Sequence, residues 1–143
     1  MKIIGIDFGL AKVGLAISDP SGVIALPLKV IRYKNKEDLI SELKNISEER
    51  DVKKFVIGYP ISMDYKENEM TKIIDNFKQD MENVNFEVVL EDERLSSEYA
   101  KKIMIEQDVK VSRNKEMVDL TAASIILQTY LDRNKNQWNI KEY

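Results

Sequence analysis

The chain contains neither histidine nor cysteine. Without imidazole or thiol, any chemistry must run on carboxylates, hydroxyls, lysines or a bound metal. Lack of cysteine also excludes a disulfide framework and a thiolate metal site, and it fits a reducing compartment. No apolar stretch approaches the ~20 residues that a membrane span needs. The opening MKIIGIDFG reads as an amphipathic strand, without the apolar run and small-residue cleavage site of a signal peptide. The expectation is a cytoplasmic protein with no membrane association. A basic surplus is missing too: 22 Lys and Arg face 25 Asp and Glu, a net charge of −3. That weighs mildly against a nucleic-acid partner, whose usual signature is a basic footprint.

What is present is a core and three acidic positions. Hydrophobic residues make up 43% of 143, which supports one folded domain. Lys2 to Phe8 alternates, with Ile4, Ile6 and Phe8 on one face and Ile3, Gly5 and Asp7 on the other. Val13 to Ser18 reads as a second strand. Asp19-Pro20-Ser21-Gly22 is a turn in which proline pre-sets φ and glycine accepts positive φ. Val23 to Ile31 follows as a third strand, with Pro27 marking an edge or an irregularity. Helical spacing then appears from about Glu37 to Arg50. Phe55 to Gly58 is a short apolar strand of the kind buried on both faces. Ser62 to Glu69 is a polar loop. A helix is predicted from about Glu69 to Met81, a strand over Phe86 to Leu90, and a helix from about Ser96 to Gln107. The last helix runs from about Lys115 to Asp132.

This order predicts an α/β domain with a mixed five-stranded sheet. Three antiparallel strands come first, then βαβ crossovers, with helices on both faces. There is no internal repeat, low-complexity segment or linker. The domain spans 1–133, and 134–143 reads as a loose polar tail.

Asp7 ends an apolar strand, and Gly5 leaves space on its face. A metal ligand at a strand's C-terminal end is one reading, and an Asx turn closing the strand is the other. Asp119 shares a helix side with Ala122, Ala123 and Ile126. Those small neighbours let the helix approach the sheet, so the carboxylate points inward. The plainer alternative is an acid favoured by the helix dipole. The run Glu91-Asp92-Glu93-Arg94 is ambiguous. A continuing strand would put Glu91 and Glu93 on one face and Asp92 on the other, and Arg94 could orient one acid.

An acid in an apolar setting is costly unless paired or metal-bound. Three of them suit a site for two Mg²⁺ or Mn²⁺ ions, set ~3.5–4 Å apart in two-metal phosphoryl chemistry. Lys12 could contact a phosphate, and Ser96 and Ser97 could hydrogen-bond a backbone oxygen from a helix N-terminus. Lys101, Lys102, Lys110, Arg113 and Lys115 add local positive charge before Asp119, although an ordinary solvated helix face would look the same.

Four ordered segments are similar to a known family: GIDFGLAKVGLAISD (Gly5 to Asp19), VIGYPISMD (Val56 to Asp64), EDERLSS (Glu91 to Ser97) and VDLTAASIILQTYL (Val118 to Leu131). They resemble the YqgF family, also called RuvX and often labelled a Holliday junction resolvase. The resemblance covers nearly the whole chain, to about Asp132. It implies a ribonuclease-H-like (RNase H-like) fold related to the RuvC resolvases, and a metal-dependent nuclease associated with processing the 5′ end of precursor 16S ribosomal RNA. The family's acidic positions fall here on Asp7, Glu93 and Asp119, and only the resemblance selects Glu93 within its cluster. Leu10 and Ala11 depart from the family, where a Thr or acidic residue and then a basic residue are common. Such a loss would weaken phosphate contacts and leave the acids in place. Tyr59 stands where relatives often have Leu.

The expected partners are precursor rRNA, or branched DNA, and ribosome-assembly intermediates, met by a monomer or weak homodimer. Three other functions compete. One is a resolvase cutting four-way DNA, whose symmetric substrate calls for a dimer. Another is a non-catalytic RNA-binding module of ribosome assembly. The third is an ATPase, because GIDFG also resembles the phosphate turn of actin and sugar kinases. Those enzymes close two domains on a nucleotide, and 143 residues hold one.

Overall fold

Alternating and helical patterns build a five-stranded sheet with helices on both faces in this computed structural model, which describes residues 2–60, 68–93 and 115–141. The elements are β1 (Lys2–Phe8), β2 (Lys12–Ser18), β3 (Ala25–Arg32), α1 (Lys36–Arg50), β4 (Val52–Tyr59), α2 (Glu69–Asn83), β5 (Glu87–Asp92) and α3 (Lys115–Lys141). The sheet order is β3-β2-β1-β4-β5. β1, β2 and β3 pair antiparallel, while β4 pairs parallel to both β1 and β5. The mixed sheet matches the expectation.

Two apolar layers sandwich this sheet. Leu39, Leu43 and Ile46 of α1 and Ile74, Phe77 and Met81 of α2 pack with Ile4, Ile6, Leu15, Phe55 and Ile57. On the opposite face, Ala123, Ile126, Leu127, Tyr130 and Leu131 of α3 cover Ala16 and Val56. The period-2 alternation of β1 therefore sorts residues between the layers, with Ile3 beneath α3 and Phe8 beneath the other helices.

Local chemistry fixes the element ends. Asn35 caps α1 by accepting from the Asp38 amide. Asn68 and Thr71 form a reciprocal capping box at α2. In the β2–β3 turn, Gly22 adopts φ 73° and donates its amide to the Asp19 carbonyl. Pro27 sits on the edge strand β3, beside a register shift between Leu15 and Ala16.

Several boundaries differ from the sequence expectation. β4 begins at Val52 because Val52 pairs with Lys2, and the intervening Lys53 and Lys54 hide the apolar pattern. The Lys54 ammonium covers the Tyr130 ring at 5.2 Å, so its stem packs as apolar material. β5 runs on to Asp92 because Glu91 and Asp92 pair with Gly58 and Tyr59. α3 continues to Lys141, past the end expected near Asp132. No Gly or Pro lies between Asp132 and Lys141 to end the helix. The helix expected over Ser96 to Gln107 and most of the Ser62 to Glu69 loop lie outside the described residues.

Candidate active site

Asp7 lies at the C-terminal end of β1 and is half-buried on the face that α3 covers. Its antiparallel partner is Gly14 of β2. On its other side, Gly58 follows Ile57, the parallel partner of Ile6. Asp7 is thus flanked across the sheet by two residues that have no side chain.

Each glycine lies under an acid. A Cβ built on Gly14 would stand 2.5 Å from the Asp119 carbonyl oxygen and 3.3 Å from the Asp119 Cβ. One built on Gly58 would meet Glu93 Oε1 at 2.7 Å and Ile126 Cδ1 at 2.5 Å. Gly5, deeper along β1, lies against Leu127 Cβ at 2.6 Å. Three of the five glycines therefore form a floor on which α3 rests, and any larger residue would lift it. The stripe touching this floor is Asp119, Ala123 and Leu127, at helical spacing of four. Ala122, expected on that side, is only partly buried.

The Asp119 carboxylate meets Lys12 at the start of β2, with Nζ 2.7 Å from Oδ2. This is an ion contact without the direction of a hydrogen bond. Among the described residues the buried Oδ2 accepts none. Lys12 pairs across the ladder with Arg32, and Arg32 reaches Glu116 of α3 at 3.5 Å. The loop before Lys12 is held by Tyr33, whose hydroxyl donates to the Gly9 carbonyl and whose amide donates to the Ala11 carbonyl. Burial raises the Tyr33 pKa, so the donor keeps its proton. Leu10 on that loop is exposed.

Within the second acidic run the three residues differ. Glu91 is only 3% exposed, and its Oε1 accepts from Arg133 Nη1 at 2.6 Å. An acid so engaged has its charge already compensated. Asp92 pairs along the ladder with Tyr59, and Glu93 follows the strand end. The Arg133 contact was not foreseen, since its partner lies 42 residues away. The glycine floor could have been: Gly5 and Gly14 each alternate with the large apolar residues of their strands, on the face opposite Ile4, Ile6, Val13 and Leu15.

The donor set fits a hard divalent cation. It offers carboxylate oxygens only, and Asp119 Oδ2 is buried without a hydrogen-bond donor among the described residues. No three acidic side chains converge on a single ion position among the described residues. Asp7 and Glu93 both make further contacts, and Asp119 is held by Lys12. Arg94, Ser96 and Ser97 lie outside the described residues.

Comparison with solved structures defines the class first. The chain superposes on Thermus thermophilus RuvC in complex with a Holliday junction substrate with a TM-score of 0.62 and 12% identity, covering 94% of this chain and 96% of that one. The Fowlpox virus resolvase in its Holliday junction complex gives 0.60 and 11%, over 94% and 99%. The protein therefore has an RNase H-like fold. Sequence comparison is narrower. Residues 1–133 match the family model described as RuvX, Holliday junction resolvase, and the chain belongs to that family. A relative from Dictyoglomus thermophilum is 43% identical over 133 residues, covering 92% of this chain and 96% of its own length. One from Maridesulfovibrio salexigens is 40% identical over 134 residues, covering 93% and 99%. Both carry the name "Putative pre-16S rRNA nuclease". The family description and the relatives' names thus point to different nucleic acids.

Proposed function

We propose that the protein is a nuclease that hydrolyses phosphodiester bonds in RNA, acting on the 5′ end of precursor 16S rRNA in the cytoplasm. One observation carries this reading: Asp7 lies between Gly14 and Gly58, with Asp119 over one glycine and Glu93 over the other. The three acids share one face, near the C-terminal ends of the parallel strands, where ligands of open α/β sheets bind. The names of relatives at 40–43% identity support RNA as the substrate.

Asp7, Glu93 and Asp119 would hold Mg²⁺ or Mn²⁺, in a two-ion arrangement. When bound, such ions would make a bound water easier to deprotonate and would supply a counter-charge for the phosphate. The chain's own residues set the geometry around that chemistry. Asp7 is fixed by the sheet, and Asp119 by a helix resting on backbone. Glu93 is carried on a strand end that Arg133 anchors through Glu91. Lys12 and Arg94 offer cations to the phosphate, and Ser96 and Ser97 offer hydrogen bonds to the RNA backbone.

The test is a labelled precursor 5′-leader RNA incubated with Mn²⁺ or with EDTA, beside Asp7→Asn. Metal-dependent cleavage that the variant lacks supports the reading. Cleavage no greater than the variant's overturns it in favour of an RNA-binding role in ribosome assembly. A second reading, cleavage of four-way DNA, is favoured by the resolvase likeness. Preferential cutting of a junction over the RNA would support that alternative.

A further inference from the structure

We propose that Lys12 is a tethered cation that holds Asp119 while no divalent ion is bound and competes with the ion for the same oxygen. This rests on the metal reading above and goes beyond it. Three observations carry it.

The first is the contact itself. Lys12 Nζ lies 2.7 Å from Asp119 Oδ2, and that buried oxygen accepts no hydrogen bond among the described residues. The oxygen that offers itself to a metal is therefore the one that the ammonium neutralises. The second is how the neighbouring charges divide. Arg32, directly across the ladder from Lys12, is directed to Glu116. Neighbouring cations thus reach different acids of α3, Arg32 going to Glu116 and Lys12 to Asp119. The third is freedom to leave. The Lys12 side chain is 33% exposed, and an ammonium on a four-carbon stem can rotate into water at small cost. A divalent ion carries twice the charge and needs no proton alignment, so it takes the oxygen when present.

The lysine therefore sets how tightly this site binds metal. It also keeps Asp119 neutralised against its acidic neighbours in the metal-free protein. Binding of the ion frees an ammonium at the mouth of the site, where a phosphate would enter.

The experiment is calorimetric titration of Mn²⁺ alone into the wild-type chain, Lys12→Met, Lys12→Arg and Asp119→Asn, with thermal melting in EDTA alongside. Lys12→Met is expected to bind Mn²⁺ about fivefold or more tightly than wild type, the factor for one ion pair removed from competition. It should also melt at a lower temperature in EDTA. Lys12→Arg should stay near wild type, because it keeps the charge. Affinity in Lys12→Met equal to or weaker than wild type overturns the proposal and leaves the metal reading standing. No Mn²⁺ binding by wild type or by Lys12→Met overturns both. Should Lys12→Met lack a cooperative melt, Lys12→Gln takes its place with the same expectation.

Discussion

Arg133 Nη1 donates to Glu91 Oε1 across 2.6 Å, tying the third helix to the last residues of β5. Glu91 is almost fully buried, whereas the Arg133 side chain is 48% exposed. The pair thus consists of an inner acid reached by an outer cation. Its position is two residues before Glu93, so it fixes the strand from which Glu93 projects.

Arg133→Ala should cost about 1–3 kcal/mol, because it leaves a buried carboxylate without its partner. The cost is below that of breaking a fully buried pair, since water reaches the arginine. Urea denaturation measures it. Glu91→Gln, which keeps the shape and removes the charge, should cost less. Equal and negligible losses in both would mean that the contact is incidental.

Gly14→Ala tests the backbone contact under Asp119. The added methyl would meet a carbonyl oxygen at 2.5 Å, and a main chain cannot yield as a side-chain tip can. Overpacking of this kind costs about 1–3 kcal/mol. Activity should fall as well, because Asp119 moves with its helix. Gly58→Ala meets the end of Ile126 and should be the milder of the two in stability. A stable, fully active Gly14→Ala protein would refute the account.

Asp7→Asn and Asp119→Asn should each reduce RNA cleavage roughly a hundredfold or more, at or beyond the upper range for disturbing a metal's supporting residues. Their folds should survive, since Asn is isosteric. Asp7→Asn should melt at or above the wild-type temperature without metal, as like charges are relieved. Circular dichroism with a cleavage assay separates the two effects. Retained cleavage in either variant would remove that acid from the proposed site.

Asp19 predicts an acid-side dependence of stability. The Ile24 amide, the Ser21 hydroxyl and the Val23 amide all donate to its carboxylate and hold its pKa at about 2, below the ordinary aspartate value of 3.8. A pKa lowered on folding contributes stability that is present above about 3.8 and lost as pH falls through about 2. Melting temperatures of wild type and Asp19→Asn should therefore converge across that window. Parallel curves would show that the turn does not depend on this charge.

Much of this arrangement is legible in local patterns. The alternation in β1 assigns Asp7 to the face opposite Ile4 and Ile6, and small alanines beside Asp119 point its helix face inward. What local pattern cannot supply is any contact closed by distant chain. The extent of β5 depends on Gly58 and Tyr59 of β4, so local pattern alone could not choose among Glu91, Asp92 and Glu93. Separating Glu91 from its neighbours needed Arg133, one residue past the helix end expected near Asp132. The end of α3 differs for a related reason: apolar spacing reports where a helix is expected to pack, which need not be where the helix ends.

The third helix touches the sheet at Gly5 and Gly14 through main-chain and Cβ atoms. The height of Asp119 above Asp7 is therefore a thickness of polypeptide, with no adjustable spacer between them. Substitutions throughout the core can drift without altering it. Selection can change the chemistry of this site by exchanging the groups around it, but hardly by moving the two acids apart.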